Sequence, residues 1–289
     1  MQNYLNEMKS FLKEKNYNVY SFAAVRGTDA PCSVEVNGAN PCQDSYSVAK
    51  AFTVTALAIL CDRGLISYDE YVIDILKDEI PDDVRERIDK RWERVTVHHA
   101  LLHRIGLPDG FLDIDALDSH KFGKDFLSYM LTYPLLEDPC VNFRYTDGAY
   151  YMLARIAKIR AKMPLDEFLW RELFFPLEFS EAAWSKCPMG HAMGATGLYI
   201  RSHDMVKLGA LYMNGGEYMN HRILSENAVS TVLQRGYELN YCGVGNGYGK
   251  GGMRGQMLAV FPDKSTAVAW HAYNCDHIPE ILTKAYSLL

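Results

Sequence analysis

Ser47 and Lys50 stand three residues apart at the front of the run SVAKAFTVTALAIL. On a helix that spacing places hydroxyl and amine on one face, about one turn apart, where the amine can take the hydroxyl's proton. Spacing alone is not specific, because Ser10 and Lys13 share it in the same chain. Context separates the two pairs. Lys13 belongs to a charged face open to water, whereas Lys50 is surrounded by Ala49, Ala51, Phe52 and Val54 in a segment that is apolar almost all round. A lysine buried there is either tightly paired or has a lowered pKa, and a lowered pKa is what a general base needs. Ser47 also falls at the helix start, where free N–H groups and the positive dipole end favour developing negative charge. A capping serine followed by a lysine that reaches the surface is the competing reading, and the apolar surroundings weigh against it.

Tyr145-Thr146-Asp147 stands at the front of the helix-period run GAYYMLARIAKI. A tyrosine beside a buried lysine can relay a proton, since the two ordinary pKa values lie close together. In isolation the same residues read as a packed aromatic followed by a helix cap, a position that suits Asp147. A third group, Lys250-Gly251-Gly252, lies in CGVGNGYGKGGMRGQ just ahead of the strand pattern MLAVF. Glycines there let the backbone approach a ligand closely, and the lysine would bring positive charge beside the nucleophile; a plain flexible loop is the alternative. Gly247 to Gly252 also fits GxGxxG, but a dinucleotide-binding turn must open a helix, and here a strand and Pro262 follow. The P-loop pattern fails at Val244 and Gly251. His99 and His103 have the i, i+4 spacing of a metal pair, yet HExxH requires glutamate where Ala100 stands. A structural role suits them, and neither metal nor cofactor is expected.

These residues need elements to hold them. Residues YNVYSFAAVR and CSVEVN, separated by Gly27, Asp29 and Pro31, predict a hairpin. The Ser47 to Leu60 run predicts a buried central helix with Asp44 or Ser45 as cap and Gly64 as stop. Helix-period segments (VTVHHALLHRI, KDFLSYMLTY, YYMLARIAKIRA) punctuated by prolines predict a helical subdomain over residues 63–191. The tail returns to strand patterns, MLAVF and STAVAWHA, and ends in the amphipathic HIPEILTKAYSLL. Strands at both ends of the chain predict an α/β (α+β) architecture. Its one central antiparallel sheet, built from residues 1–62 and 192–289, is flanked by terminal helices.

With 289 residues, 48% of them hydrophobic, the chain can bury a sizeable core. Its net charge of -6 and lack of basic runs exclude a nucleic-acid partner. The N-terminal stripe Tyr4, Leu5, Met8, Phe11 and Leu12, opposite charged residues, reads as a surface helix and not as a signal peptide. No run of 18 apolar residues predicts a membrane span. Seven scattered cysteines without a CxxC pair point to reduced thiols and a cytoplasmic setting.

Together the three groups resemble the penicillin-recognising serine hydrolases: β-lactamases, penicillin-binding proteins and related esterases, whose signatures include SxxK and KTG. The order matches, and the likeness extends to VTVHHALLHRIGLPDG, GATGLYIRSHDMVKLGALYMNGG and GGMRGQMLAVFPDK, covering about residues 40 to 270. It is nearest the class C β-lactamase and esterase branch, where tyrosine fills the second box. The resemblance implies a β-lactamase/transpeptidase-like fold with the active site in a cleft between sheet domain and helical subdomain. It implies Ser47 as nucleophile, Lys50 and Tyr145 as proton-transfer partners, and Lys250, Gly251, Gly252 and Asp147 as substrate-binding residues. Met253 would supply the second oxyanion N–H beside that of Ser47. The family's histidines at comparable places hold no metal. Two departures stand out: Asp147 replaces asparagine and, when ionised, can only accept hydrogen bonds, and Gly251 replaces threonine, removing a hydroxyl that could bind a substrate carboxylate. Esters, small amides and D-amino-acid peptides therefore stand beside lactams as expected small-molecule substrates. The competing expectation is a catalytically weak penicillin-binding or sensing protein that keeps the fold without efficient turnover.

Overall fold

The computed structural model describes residues 1–113 and 119–289. They divide into two compact units, one of residues 1–51, 170–183 and 197–289, the other of residues 52–169 and 184–196.

The first unit is built on a six-stranded antiparallel sheet. Its spatial order is Cys32–Glu35, Val19–Arg26, Thr266–Ala272, Gln256–Phe261, Tyr248–Gly252 and Asn240–Tyr241. The expected N-terminal hairpin thus pairs with the C-terminal strands, Ala23 opposite Ala269 and Ala24 opposite Val268. The strands Gln256–Phe261 and Thr266–Ala272 are buried at every position, because helices cover both faces. On one face Phe22, Met257, Phe261 and Trp270 pack with Leu5, Met8 and Leu12 of helix Gln2–Glu14 and with Ile281 and Leu282 of helix Ile278–Ser287. On the other lies helix Ser202–Met213, whose Gly209 permits the approach: a Cβ there would meet the Ala267 Cβ at 2.9 Å and the Leu258 Cδ1 at 3.1 Å. The same helix carries a buried ion pair, Asp204 to Lys207 at 2.7 Å. Lys207 also donates to the Glu178 carbonyl at 2.5 Å, and Asp204 accepts from the Ser180 N–H at 3.0 Å, tying down that connection. A further short strand, Cys42–Asp44, pairs antiparallel with Leu198–Arg201 just before the Ser47 segment.

The second unit is helical. Its centre is helix Asp147–Ala161, buried from Asp147 to Ala157, whose Tyr150 hydroxyl donates to the Leu101 carbonyl at 3.1 Å. Arg155, almost fully buried, pairs with Glu79, which also accepts from Lys158 at 2.9 Å. Helix Ala49–Asp62 contains the division between the units, after Ala51. It stops where expected, at Gly64 (φ +68°), with Gly64 N–H bonded to Cys61 O and Leu65 N–H to Leu60 O, the paired closure of a Schellman motif. The helix-period run VTVHHALLHRI is helical only over Val97–Leu101. His103 adopts a left-handed φ of +55° and closes the helix in the same way, with Arg104 N–H bonded to His99 O and His103 N–H to Ala100 O.

All seven cysteines are free thiols. Among the described residues no helix is long and apolar enough to cross a membrane.

His271, on the central strand, is wholly buried, with Nδ1 2.9 Å from the Gln256 Oε1. Burial lowers its pKa to about 4. The folded state keeps the ring neutral, while the unfolded chain protonates near pH 6.5. Its stabilising effect is therefore complete above about pH 6.5 and is lost as the pH falls toward 4. Urea unfolding should show stability declining across that window by up to about 1.4 kcal/mol per pH unit from this group. His271→Gln should flatten the decline; a variant profile as steep as the wild type would contradict the assignment.

Candidate active site

The nucleophile candidate lies on a turn and not on the α-helix proper. Tyr46–Val48 form a 3-10 turn that runs into helix Ala49–Asp62. Asp44 braces the entry to this turn, its Oδ1 accepting from the Tyr46 N–H at 2.8 Å, while the cap position itself falls to Ser45 with no side-chain capping bond. Ser45 does something else: its N–H and hydroxyl both donate to the Leu198 carbonyl, at 2.9 and 2.8 Å. Tyr46 is left-handed at φ +46°, a conformation costly for a residue with a Cβ. Val48 N–H bonds back to Ser45 O at 3.1 Å. The Ser47 N–H, between them, belongs to the first turn and has no acceptor within it. Lys50, with no exposed surface, brings its Nζ to 3.2 Å from the Ser47 Oγ. A protonated amine donates there; a neutral one can accept the serine's proton.

Strand Tyr248–Gly252 lies against this turn. A Cβ on Gly252 would stand 2.5 Å from the Ser45 carbonyl oxygen, so only glycine fits. Side chains alternate along a strand, which puts Lys250 on the same face as Gly252 and Gly251 on the opposite one. At Gly251 a Cβ would meet nothing closer than the Met257 Sδ at 3.8 Å. Met253 opens the following 3-10 turn, Met253–Gly255, so its N–H too has no acceptor inside the turn. Lys250 is ion-paired with Glu238, Nζ to Oε2 2.5 Å, and both side chains are largely buried. Glu238 carries no signal in the sequence. It lies twelve residues before Lys250, in no motif, and only the register of Asn240 opposite Gly249 carries it to the lysine.

Tyr145 and Asp147 belong to the helical unit. Helix Asp147–Ala161 is capped by Thr146, whose hydroxyl accepts from the Gly148 N–H at 3.1 Å. Asp147, read from the sequence as a suitable cap, is instead the first helical residue and is 8% exposed. Thr146 takes the cap because its hydroxyl also donates to Phe111 O at 2.9 Å, which fixes its rotamer. His103 Nδ1 accepts from the Thr146 N–H at 3.1 Å, and its ring stacks on Tyr145 at 4.6 Å. Arg144 N–H bonds to His103 O and Gly110 N–H to Tyr145 O. The segment from His103 to Phe111 therefore grips the backbone on both sides of Tyr145, and the left-handed His103 is what turns the imidazole toward it. His103 is a positioning residue that its sequence spacing did not distinguish from His99. The latter serves a different end, its Nδ1 accepting from the Thr96 N–H at 3.2 Å in a capping box. Among the described residues no group of three or more His, Cys, Asp or Glu could hold a metal ion.

One unit thus assembles Ser47, Lys50, Lys250, Gly252 and Met253 around a single turn, with Gly251 facing away. The other holds Tyr145 and Asp147 at the front of its central helix.

The sequence profile of the Beta-lactamase family matches residues 39–274. No curated protein matches the chain by sequence. Solved structures share its fold. A candidate 6-aminohexanoate-dimer hydrolase from Bacillus anthracis superposes with a TM-score of 0.78 at 16% identity, covering 96% of this chain and 80% of that one. A penicillin-binding protein homologue from Caulobacter crescentus gives 0.76 at 14% identity, with 99% and 97% covered. A family VIII carboxylesterase gives 0.75 at 14% identity, with the same coverage. The family match spans most of the chain and includes all three residue groups, and on that basis the chain belongs to the Beta-lactamase family.

Proposed function

We propose that the protein is a serine hydrolase that forms an acyl-enzyme on Ser47. The observation that carries this reading is the contact of the fully buried Lys50 amine with the Ser47 hydroxyl, 3.2 Å apart. In this mechanism the Ser47 Oγ attacks a carbonyl carbon as its single proton passes to the proton-transfer pair that Lys50 and Tyr145 share. The carbonyl oxygen becomes an oxyanion held by the N–H groups of Ser47 and Met253, two donors that have no acceptor within their own first turns. Losing one such donor typically costs about 100- to 1000-fold in rate. Collapse expels an alcohol or amine, which takes up the proton. Water then attacks the ester carbonyl on Ser47, the acyl C–O bond breaks, the acyl group leaves as a carboxylic acid, and the serine oxygen takes back a proton.

Small esters, amides, lactams or D-amino-acid peptides are the proposed substrates. Asp147, standing where the family has asparagine, offers no amide donor when ionised, which favours esters and simple amides. A carboxylesterase and a candidate 6-aminohexanoate-dimer hydrolase among the structural relatives fit that range. The seven free thiols fit a reducing, cytoplasmic setting.

A panel of p-nitrophenyl esters, nitrocefin and D-amino-acid amides tests the reading. Steady turnover of at least one is expected, whereas a burst of one equivalent with no steady state would favour a binding or sensing protein. Ser47→Ala should abolish turnover, and Lys50→Met and Tyr145→Phe should each lower kcat/KM by about 100-fold or more. Full activity in either proton-transfer variant would refute its role. Gly252→Ala pushes on the Ser45 carbonyl and should cost about 100-fold in the rate of Ser47 acylation. Gly251→Ala, which has room for the methyl, should acylate at the wild-type rate; equal loss in both variants would contradict the close approach at Gly252.

A further inference from the structure

Lys250 is the cation that strand Tyr248–Gly252 presents on the nucleophile's side, and its charge is already engaged. Glu238 Oε2 lies 2.5 Å from the Lys250 Nζ, with the two side chains 5% and 12% exposed. Such a pair is neutral as a unit, and separating it would leave a buried carboxylate uncompensated, at a cost of several kcal/mol. The backbone holds the acid firmly in place. Helix Glu226–Gln234 closes at Gly236 (φ +66°), with Gly236 N–H bonded to Leu233 O and Tyr237 N–H to Val232 O. Glu238 itself is left-handed at φ +63°, and its N–H bonds to Gly236 O at 2.9 Å. Tyr237 beside it has no exposed surface. A glutamate in a left-handed conformation, buried and aimed at a cation beside the nucleophile turn, is a constrained placement that surface solubility does not explain.

We propose that Glu238 sets the substrate class by charge: it occupies the Lys250 ammonium, so the site takes acyl groups without a carboxylate and discriminates against those that carry one. A carboxylate approaching Lys250 meets the Glu238 charge at a comparable distance, and the two terms oppose each other. The proposal rests on the hydrolase reading and adds to it the charge of the acyl group.

The test uses the intact chain and two readouts. In the first, p-nitrophenyl butyrate is compared with the p-nitrophenyl monoester of glutarate, which adds a carboxylate at the end of the acyl chain. The wild type should favour the neutral ester by about tenfold or more in kcat/KM. E238Q should shrink that ratio at least about tenfold, mainly through KM of the anionic ester, and E238D should restore it. A wild type that prefers the anionic ester, or a folded E238Q with an unchanged ratio, would overturn the proposal. The wild-type preference decides even if E238Q fails to fold. The second readout needs no turnover: malonate titrated by calorimetry should bind E238Q saturably and neither the wild type nor the E238Q/K250M double variant. If the wild type hydrolyses neither ester, the titration decides alone, and the hydrolase reading is judged separately by the panel of esters, nitrocefin and amides. Malonate binding confined to E238Q then supports the charge assignment, and equal behaviour of wild type and E238Q overturns it.

Discussion

Lys50 has no exposed surface, and its amine lies 3.2 Å from the Ser47 hydroxyl. Keeping an amine in so dry a place is costly unless its neighbours favour it. The first unit is arranged around meeting that cost at one point. Asp44 fixes the turn from one side, Leu198 receives both donors of Ser45, and the strand ending at Gly252 comes so close to Ser45 that no side chain fits between. The six-stranded sheet, clamped by the terminal helices and by the helix carrying Gly209, is the rigid platform that this closeness demands.

Three left-handed residues sit at the segments that present reactive groups: Tyr46 before the serine, His103 against Tyr145, and Glu238 against Lys250. None is glycine, and each conformation is held by hydrogen bonds on both sides. Strain of about 1 kcal/mol or more per residue persists only where surrounding contacts over-determine it. Each of the three spends that strain in aiming one group at a chosen neighbour. The two oxyanion donors of the proposed mechanism arise in a related way, because the first N–H groups of a helical turn are unsatisfied by geometry and so are available to a ligand.

Much of this architecture was legible in the residues. Strand patterns at both ends of the chain foretold a sheet made from both termini, and the all-round apolar run after Ser47 foretold a buried helix ending at Gly64. What escaped depended on contacts between distant segments. Nothing local says that VTVHHALLHRI ends at Leu101, because the closure is set by the imidazole of His103 reaching the Thr146 N–H forty-three residues away. Asp147 and Thr146 are both good caps in isolation, and the Phe111 carbonyl selects Thr146. Ser47 lies on a 3-10 turn, at a place where Asp44 accepts from the Tyr46 N–H and the Leu198 carbonyl, 153 residues away from Ser45, receives both Ser45 donors. Glu238 carried no signal at all, since its partner is assigned by strand register.

The proposed chemistry depends on which atom takes the acyl group. Trapping the protein with a fluorophosphonate and sequencing the modified peptide by tandem mass spectrometry tests this directly. A single phosphonylated residue, Ser47, is expected. An adduct on any other residue, such as Ser45 or one of the seven free thiols, would contradict it.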